Sequence, residues 1–189
     1  MKSLGLGMAF AALALSAQGV GASDLPAGSL YVEPLRWTSD TEARIELGSF
    51  RGHAVALTMF YTDCSSACPL TLAKLRELDR AFAQRGLDLQ IVLVSYDSAH
   101  DTPRRLARFR RREALPSERW HLLSGGPASV ERLARRLGLG SYVDLGEHIV
   151  HSFRIVLLDG DGVVRKALDP KHDKVDSWFE EGDPTARSR

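Results

Sequence analysis

Three apolar runs of strand length constrain this chain more than any other feature in it: "AVALTMFY" at 54–61, the middle of "LDLQIVLVSYD" at 87–97, and the middle of "HSFRIVLLD" at 151–159. Each is rich in Val, Ile and Leu and lacks the polar alternation of a half-exposed strand, which is the pattern of strands covered on both faces. A sheet covered in this way needs amphipathic helices, and the stretches between the runs have to supply them.

They do. Between the first two runs Leu72, Leu75, Leu78 and Phe82 recur at intervals of three and four, which predicts a helix. Ser65 or Ser66 can cap its start, Pro69 fits only in a first turn, and Gly86 can close its end. "TPRRLARFRRRE" (102–113) and "GPASVERLARRLG" (126–138) predict two more helices, each with a proline near its start. "DGDG" (159–162) predicts a tight turn leading into a last strand, "VVRKAL". Strands alternating with helices and ending in a hairpin predict an α/β sandwich built on a mixed sheet.

Cys64 and Cys68 are the only cysteines in the 189 residues, separated by Ser-Ser-Ala. The pattern places Cys64 in the turn after a central strand and Cys68 in the first turn of the next helix, four residues on and on the same side. Unpaired N–H groups and the macrodipole at that helix start favour thiolate over thiol. A purely stabilising disulfide is the alternative. Closing so small a loop adds about 2 kcal/mol at best, before strain in the turn is subtracted, and the position at a helix start points to a reactive pair instead.

Lys2 precedes "LGLGMAFAALALSA" and "QGVGASD": a basic start, an apolar run of about 14 residues and a small-residue exit. We read residues 1–22 as a secretory signal peptide cleaved after Val20-Gly21-Ala22, because a retained anchor needs about 20 apolar residues. No cysteine near the exit offers a site for lipid attachment. Cleavage leaves residues 23–189 as a single domain in an extracytoplasmic, periplasmic-type compartment, where disulfides are permitted. The chain has 25 basic and 24 acidic residues, so losing Lys2 brings the charge to zero. That balance gives no sign of a nucleic-acid partner.

Two thiolates alone leave a soft metal under-coordinated, which turns attention to the six histidines. His53 precedes a strand, His100 sits in a loop beside Asp101, and His172 lies in a charged C-terminal stretch. His151 begins the strand "SFRIVLL" and, if that strand neighbours the one ending at Tyr61, can sit over the Cys64–Cys68 turn. The run "RRLARFRRR" (104–112) holds six arginines in nine positions. Leu106 and Phe109 are spaced to dock on the domain while Arg104, Arg108 and Arg111 share the outer side, as a solvated face or as a patch for an acidic partner.

"FYTDCSSACP", "SYDSAHDTP", "WHLLSG" and the "HS" of "HIVHSFRIVLLDGDG", in this order, resemble the Sco/SenC family of copper-binding, thioredoxin-like proteins of cytochrome c oxidase assembly. The resemblance runs from about Leu30 to Leu168 and leaves a charged tail at 169–189. It implies a thioredoxin-like fold and copper held by the two motif cysteines and the downstream histidine, which fall here on Cys64, Cys68 and His151. Val150 stands where the family often has Asp before that histidine, and Ser98 where it usually has Pro.

The chemistry of those side chains agrees with the resemblance. Thiolates select Cu(I), and imidazole is acceptable to both Cu(I) and Cu(II). A closed zinc site would want a fourth ligand, and His148 with His151 gives a spacing shorter than the usual one. The expected function is that of a copper metallochaperone supplying the CuA centre of a respiratory oxidase, with a CuA-bearing subunit as partner and another periplasmic copper carrier as a possible donor. The alternative is a thiol–disulfide oxidoreductase in which Cys64 or Cys68 is the catalytic thiol that reduces the CuA cysteines.

Overall fold

A computed structural model describes residues 25–63, 68–139, 143–144, 149–150 and 154–179 of the chain. Its centre is β3 (Val55–Phe60), every residue of which is buried. On one side β3 pairs in parallel with β4 (Gln90–Ser95), which pairs in parallel with β5 (Trp120–Ser124). On the other it pairs antiparallel with β8 (Ile155–Leu158), which turns back into β9 (Val164–Leu168). A hairpin of β1 (Arg36–Ser39) and β2 (Arg44–Glu46) extends the edge beyond β5, giving seven strands in the order β2-β1-β5-β4-β3-β8-β9. The short strands β6 (Val143–Asp144) and β7 (Ile149–Val150) pair with each other outside that sheet.

Alternate residues of the central strands feed two separate cores, which is why their apolar runs are continuous. Ala56 and Phe60 of β3, Ile91 and Leu93 of β4, and Ile155 and Leu157 of β8 face one layer. That layer holds Leu72, Leu75, Leu78 and Phe82 of α1 (Cys68–Gln84) with Leu106 and Phe109 of α2 (Pro103–Glu113). Val55, Leu57 and Met59 face the opposite layer, where Val130, Leu133 and Ala134 of α3 (Pro127–Arg136) meet Leu30, Trp37 and Leu47. The expected mixed sheet flanked by helices is the fold observed.

The predicted punctuation is present in detail. Pro69 is the second residue of α1. Gly86 closes that helix at φ +67, with its N–H on the Ala83 carbonyl and the next N–H, of Leu87, on Phe82, the paired bonds of a left-handed glycine cap. The 159–162 turn joins β8 to β9, with the Asp159 carboxylate accepting from the N–H groups of Asp161 and Val163 at 3.0 Å each. Gly162 there has φ +77, and a Cβ on it would stand 2.6 Å from the Tyr31 ring, so no other residue fits.

Three differences from the sequence reading stand out. β5 contains the "WHLL" of the third family motif, and β1 and β2 lie where the sequence pattern marks no strand. The stretch read as a charged tail from 169 includes a 3-10 turn at Val175–Trp178 whose Val175 and Trp178 are buried in the α1 layer. Phe179 follows, its ring tilted against Phe82 at 5.1 Å and covered by Arg85.

Candidate metal and thiol site

The two parallel strands β3 and β4 end at the same edge of the sheet, and α1 and α2 begin there. α1 starts at Cys68, so the backbone of the second cysteine lies at the positive end of a 17-residue helix, as the sequence predicts. Ile155, the first residue of β8, pairs with Thr58 near the end of β3. The Thr58 hydroxyl also donates to the Arg154 carbonyl at 2.9 Å. The chain therefore leaves β3 toward Cys64 at the same edge from which it comes into β8 after His151. Cys64, the side chain of Cys68, His148 and His151 lie outside the described residues, as do Ser65 and Ser66, the expected caps.

What is described is how the segment leading into the first cysteine is held. Thr62 is buried, and its N–H and hydroxyl donate to the two carboxylate oxygens of Asp101 at 3.0 and 2.5 Å. Ser95, the last residue of β4, donates its hydroxyl to the same carboxylate at 2.5 Å. Asp101 is only 3% exposed and sits immediately before Thr102, which caps α2 by accepting from the Arg105 N–H. One buried carboxylate thus joins the end of β3, the end of β4 and the start of α2. Such a group is tolerable in a core only because it is saturated with donors.

Two arginines of α2 close over the same segment. Arg105 pairs with Asp63 at 2.5 Å, which pushes its guanidinium pKa further up through that hydrogen bond, and lies 4.0 Å from Asp101. Arg112, two turns on, donates to the Thr62 carbonyl at 3.1 Å. The sequence shows Asp101 only as a neighbour of His100, and the arginines as a solvated face or a patch for an acidic partner, with no sign of bonds to the segment before Cys64. The signal for Asp101 was its place directly before a Thr-Pro helix start, where an acidic side chain can reach back to an adjoining strand.

Three other histidines have side-chain partners. His53 pairs with Asp88 at 2.6 Å and His100 with Asp97 at 2.8 Å. His121 bonds Gln90 Oε1 at 2.9 Å, and burial, helped by the charge of Arg110, pushes its pKa down, so that it donates as neutral imidazole. Among the described residues no group of three or more His, Cys, Asp or Glu could hold a metal ion. The side chains of Cys64, Cys68 and His151, the donors that the family resemblance implies, lie outside those residues. Two soft thiolates and an imidazole suit a thiophilic metal such as copper and leave a position open for an incoming ligand.

A sheet of this topology with a Cys-x3-Cys leading from its central strand into the first helix defines a thioredoxin-like protein with a paired-thiol site. The family model described as SCO1/SenC matches residues 24–179, and the chain belongs to that family. The SCO1 protein homolog of Bacillus subtilis is 23% identical over 138 residues, 71% of this chain and 72% of that protein. A relative from Stutzerimonas stutzeri is 29% identical over 123 residues, and there the chain spans 58% of the relative's length. Among solved structures, Arabidopsis thaliana ScoI with copper bound superposes with TM-score 0.70 at 22% identity, covering 83% of this chain and 98% of that one. A SCO1/SenC family lipoprotein from Bacillus anthracis superposes at 0.73 with 19% identity, covering 82% and 94%. At these identities the superpositions establish the fold. No helix among the described residues is long and apolar enough to cross a membrane.

Proposed function

We propose that this chain is an extracytoplasmic copper protein of cytochrome c oxidase assembly, which binds copper through Cys64, Cys68 and His151 and delivers it to the CuA centre of the oxidase. Membership of the SCO1/SenC family supports the assembly role. Copper-bound ScoI of Arabidopsis thaliana and copper-bound Sco1 of yeast share the fold and support the metal. The observation that carries the ligand set is the antiparallel pairing of β3 with β8, Thr58 opposite Ile155, which leads the cysteine motif and the segment after His151 to one edge of the sheet. Residues 1–22 act as the export signal and the partner is a CuA-bearing subunit, with a further periplasmic carrier as donor.

A second reading has one observation in its favour: a structural neighbour at TM-score 0.70 and 22% identity, BsSco, is described as containing a disulfide switch. In that reading one thiolate of the pair attacks a target disulfide to form a mixed disulfide, and the other thiolate releases it. The chain's dithiol is oxidised to a disulfide while the target disulfide is reduced to two thiols.

The direct test is copper stoichiometry. Reduced protein is expected to hold one Cu(I) per chain against a competing chelator, and Cys64→Ser with Cys68→Ser to hold none, because imidazole alone competes poorly for Cu(I). Equimolar copper on the double variant would rule the site out. His151→Ala is expected to weaken binding and His148→Ala to leave it nearly unchanged. The reverse result would move the ligand by one histidine.

A further inference from the structure

The arginines of α2 divide into two sets. Arg105, Arg110 and Arg112 are each tied to partners within the domain. Arg104, Arg108 and Arg111 are exposed, and none has a carboxylate within ion-pair distance among the described residues. α3 makes the comparison sharp, because its arginines Arg132, Arg135 and Arg136 are all paired, with Glu33 or Glu131. At 100° per residue the three free side chains fall within about 60° of one another on the helix surface, spanning about 10 Å of its length.

The helix dipole favours Arg111, in the last turn of α2, but local stability does not account for Arg104 and Arg108. Arg104 is the second residue of α2, where the positive end of the macrodipole opposes a cation. Arg104 with Arg108, and Arg108 with Arg111, are like-charge pairs at i,i+4 and i,i+3 spacing, which destabilise a helix. The first turn of α2 contains no acidic residue to offset them. Its location is equally specific. Arg105 and Arg112 share the adjoining face of the same helix, and they grip Asp63 and Thr62, the residues that lead into Cys64. Leu70, in the first turn of α1 and two residues after Cys68, is 44% exposed, one of three large hydrophobic residues so exposed among those described.

We propose that the Arg104–Arg108–Arg111 stripe is the docking surface for an acidic protein, the metal acceptor, and that it orients the acceptor's ligands toward the cysteine motif, with Leu70 supplying an apolar contact. The proposal rests on the reading that the chain hands copper to a protein. A protein surface is favoured over a lipid one because the stripe is short, adjoins the helix face that holds Thr62 and Asp63, and is accompanied by a single exposed leucine at the start of α1. A peripheral membrane helix would carry a full apolar face, and the apolar face of α2, Leu106 and Phe109, is buried in the domain.

The test uses the soluble CuA domain of the oxidase subunit as probe, with metal-free and copper-loaded full-length protein. Arg104→Glu, Arg108→Glu and Arg111→Glu together are expected to weaken binding at least tenfold at low salt. The triple Lys variant should bind within about threefold of the parent, and the parent's binding should weaken with ionic strength. Copper content per chain should be unchanged in both variants. Arg104→Glu alone is expected to raise Tm by about one to three degrees while weakening binding, since a carboxylate suits that helix position. Unaltered binding by the triple Glu variant overturns the proposal while leaving copper delivery intact. Stripe-dependent capture by phosphatidylglycerol vesicles, with stripe-independent binding of the CuA domain, overturns it in favour of a lipid surface. If the parent neither binds the domain nor loads it with copper, the delivery reading falls, and the acceptor-docking proposal with it.

Discussion

Asp101 governs the geometry of the segment before Cys64 without being near it in sequence. Its two oxygens take three donors, from the Thr62 N–H, the Thr62 hydroxyl and the Ser95 hydroxyl. Asp101→Ala strands all three and leaves a void, and is expected to cost about 2–4 kcal/mol by urea unfolding. Asp101→Asn is a different case. Its amide oxygen can keep the Thr62 N–H and Ser95 bonds while its NH2 donates to the Thr62 hydroxyl, which is also an acceptor. The loss should then be about 1 kcal/mol, arising mainly from the charge facing Arg105. Equal losses for the two variants would show that the carboxylate is not the anchor. The sequence offers this residue only as one acid in a loop, because nothing in a linear pattern says which strand end a side chain will reach.

Among the elements, α2 shows how one sequence pattern conceals two roles. Leu106 and Phe109 are buried, as their spacing predicts, and Phe109 meets Phe60 at 5.0 Å. Arg110 is a different kind of residue from its neighbours. It grips Asp40 with two bonds of 2.5 and 2.9 Å and donates to the carbonyls of Pro116 and Trp120, fastening the helix to the β1 edge. Arg110→Ala leaves the buried Asp40 carboxylate without its partner and is expected to cost about 2–4 kcal/mol, against under about 0.5 kcal/mol for Arg108→Ala. Chemical denaturation of the two variants side by side checks this, and similar values would refute it. The same distinction explains what was legible. β3, β4, β8 and all three helices were readable because they bury continuous or strongly periodic apolar residues. β1 and β2 were not, because "RWTS" and "RIE" are short segments with one or two inward residues each, β2 at the sheet edge and β1 held by pairing to β5, far along the chain. The position of Cys68 at a helix start is legible from Pro69 and the leucine spacing, and β8 does neighbour β3, the condition for the segment after His151 to reach the cysteine edge.

At the scale of the whole molecule, copper delivery and thiol reduction make different demands on the same edge of the sheet. On the proposed reading delivery uses Cys64, Cys68 and His151, whereas disulfide exchange needs only Cys64 and Cys68. If supplying copper is the main task, loss of the gene should lower CuA-oxidase activity, and added copper should restore part of it. Occupancy of the acceptor depends on free copper over its dissociation constant, so mass action can replace a carrier. If reduction is the main task, added copper cannot help, because a disulfide is not a thiolate ligand, whereas a small permeant thiol should restore activity. His151 separates the two without disturbing the thiols. His151→Ala removes the imidazole and leaves both cysteines in place for exchange. The expected outcome is that this variant fails to complement the deletion at limiting copper and improves when copper is raised. Full complementation by His151→Ala at limiting copper, with rescue of the deletion by thiol and not by copper, would assign the chain to disulfide reduction instead.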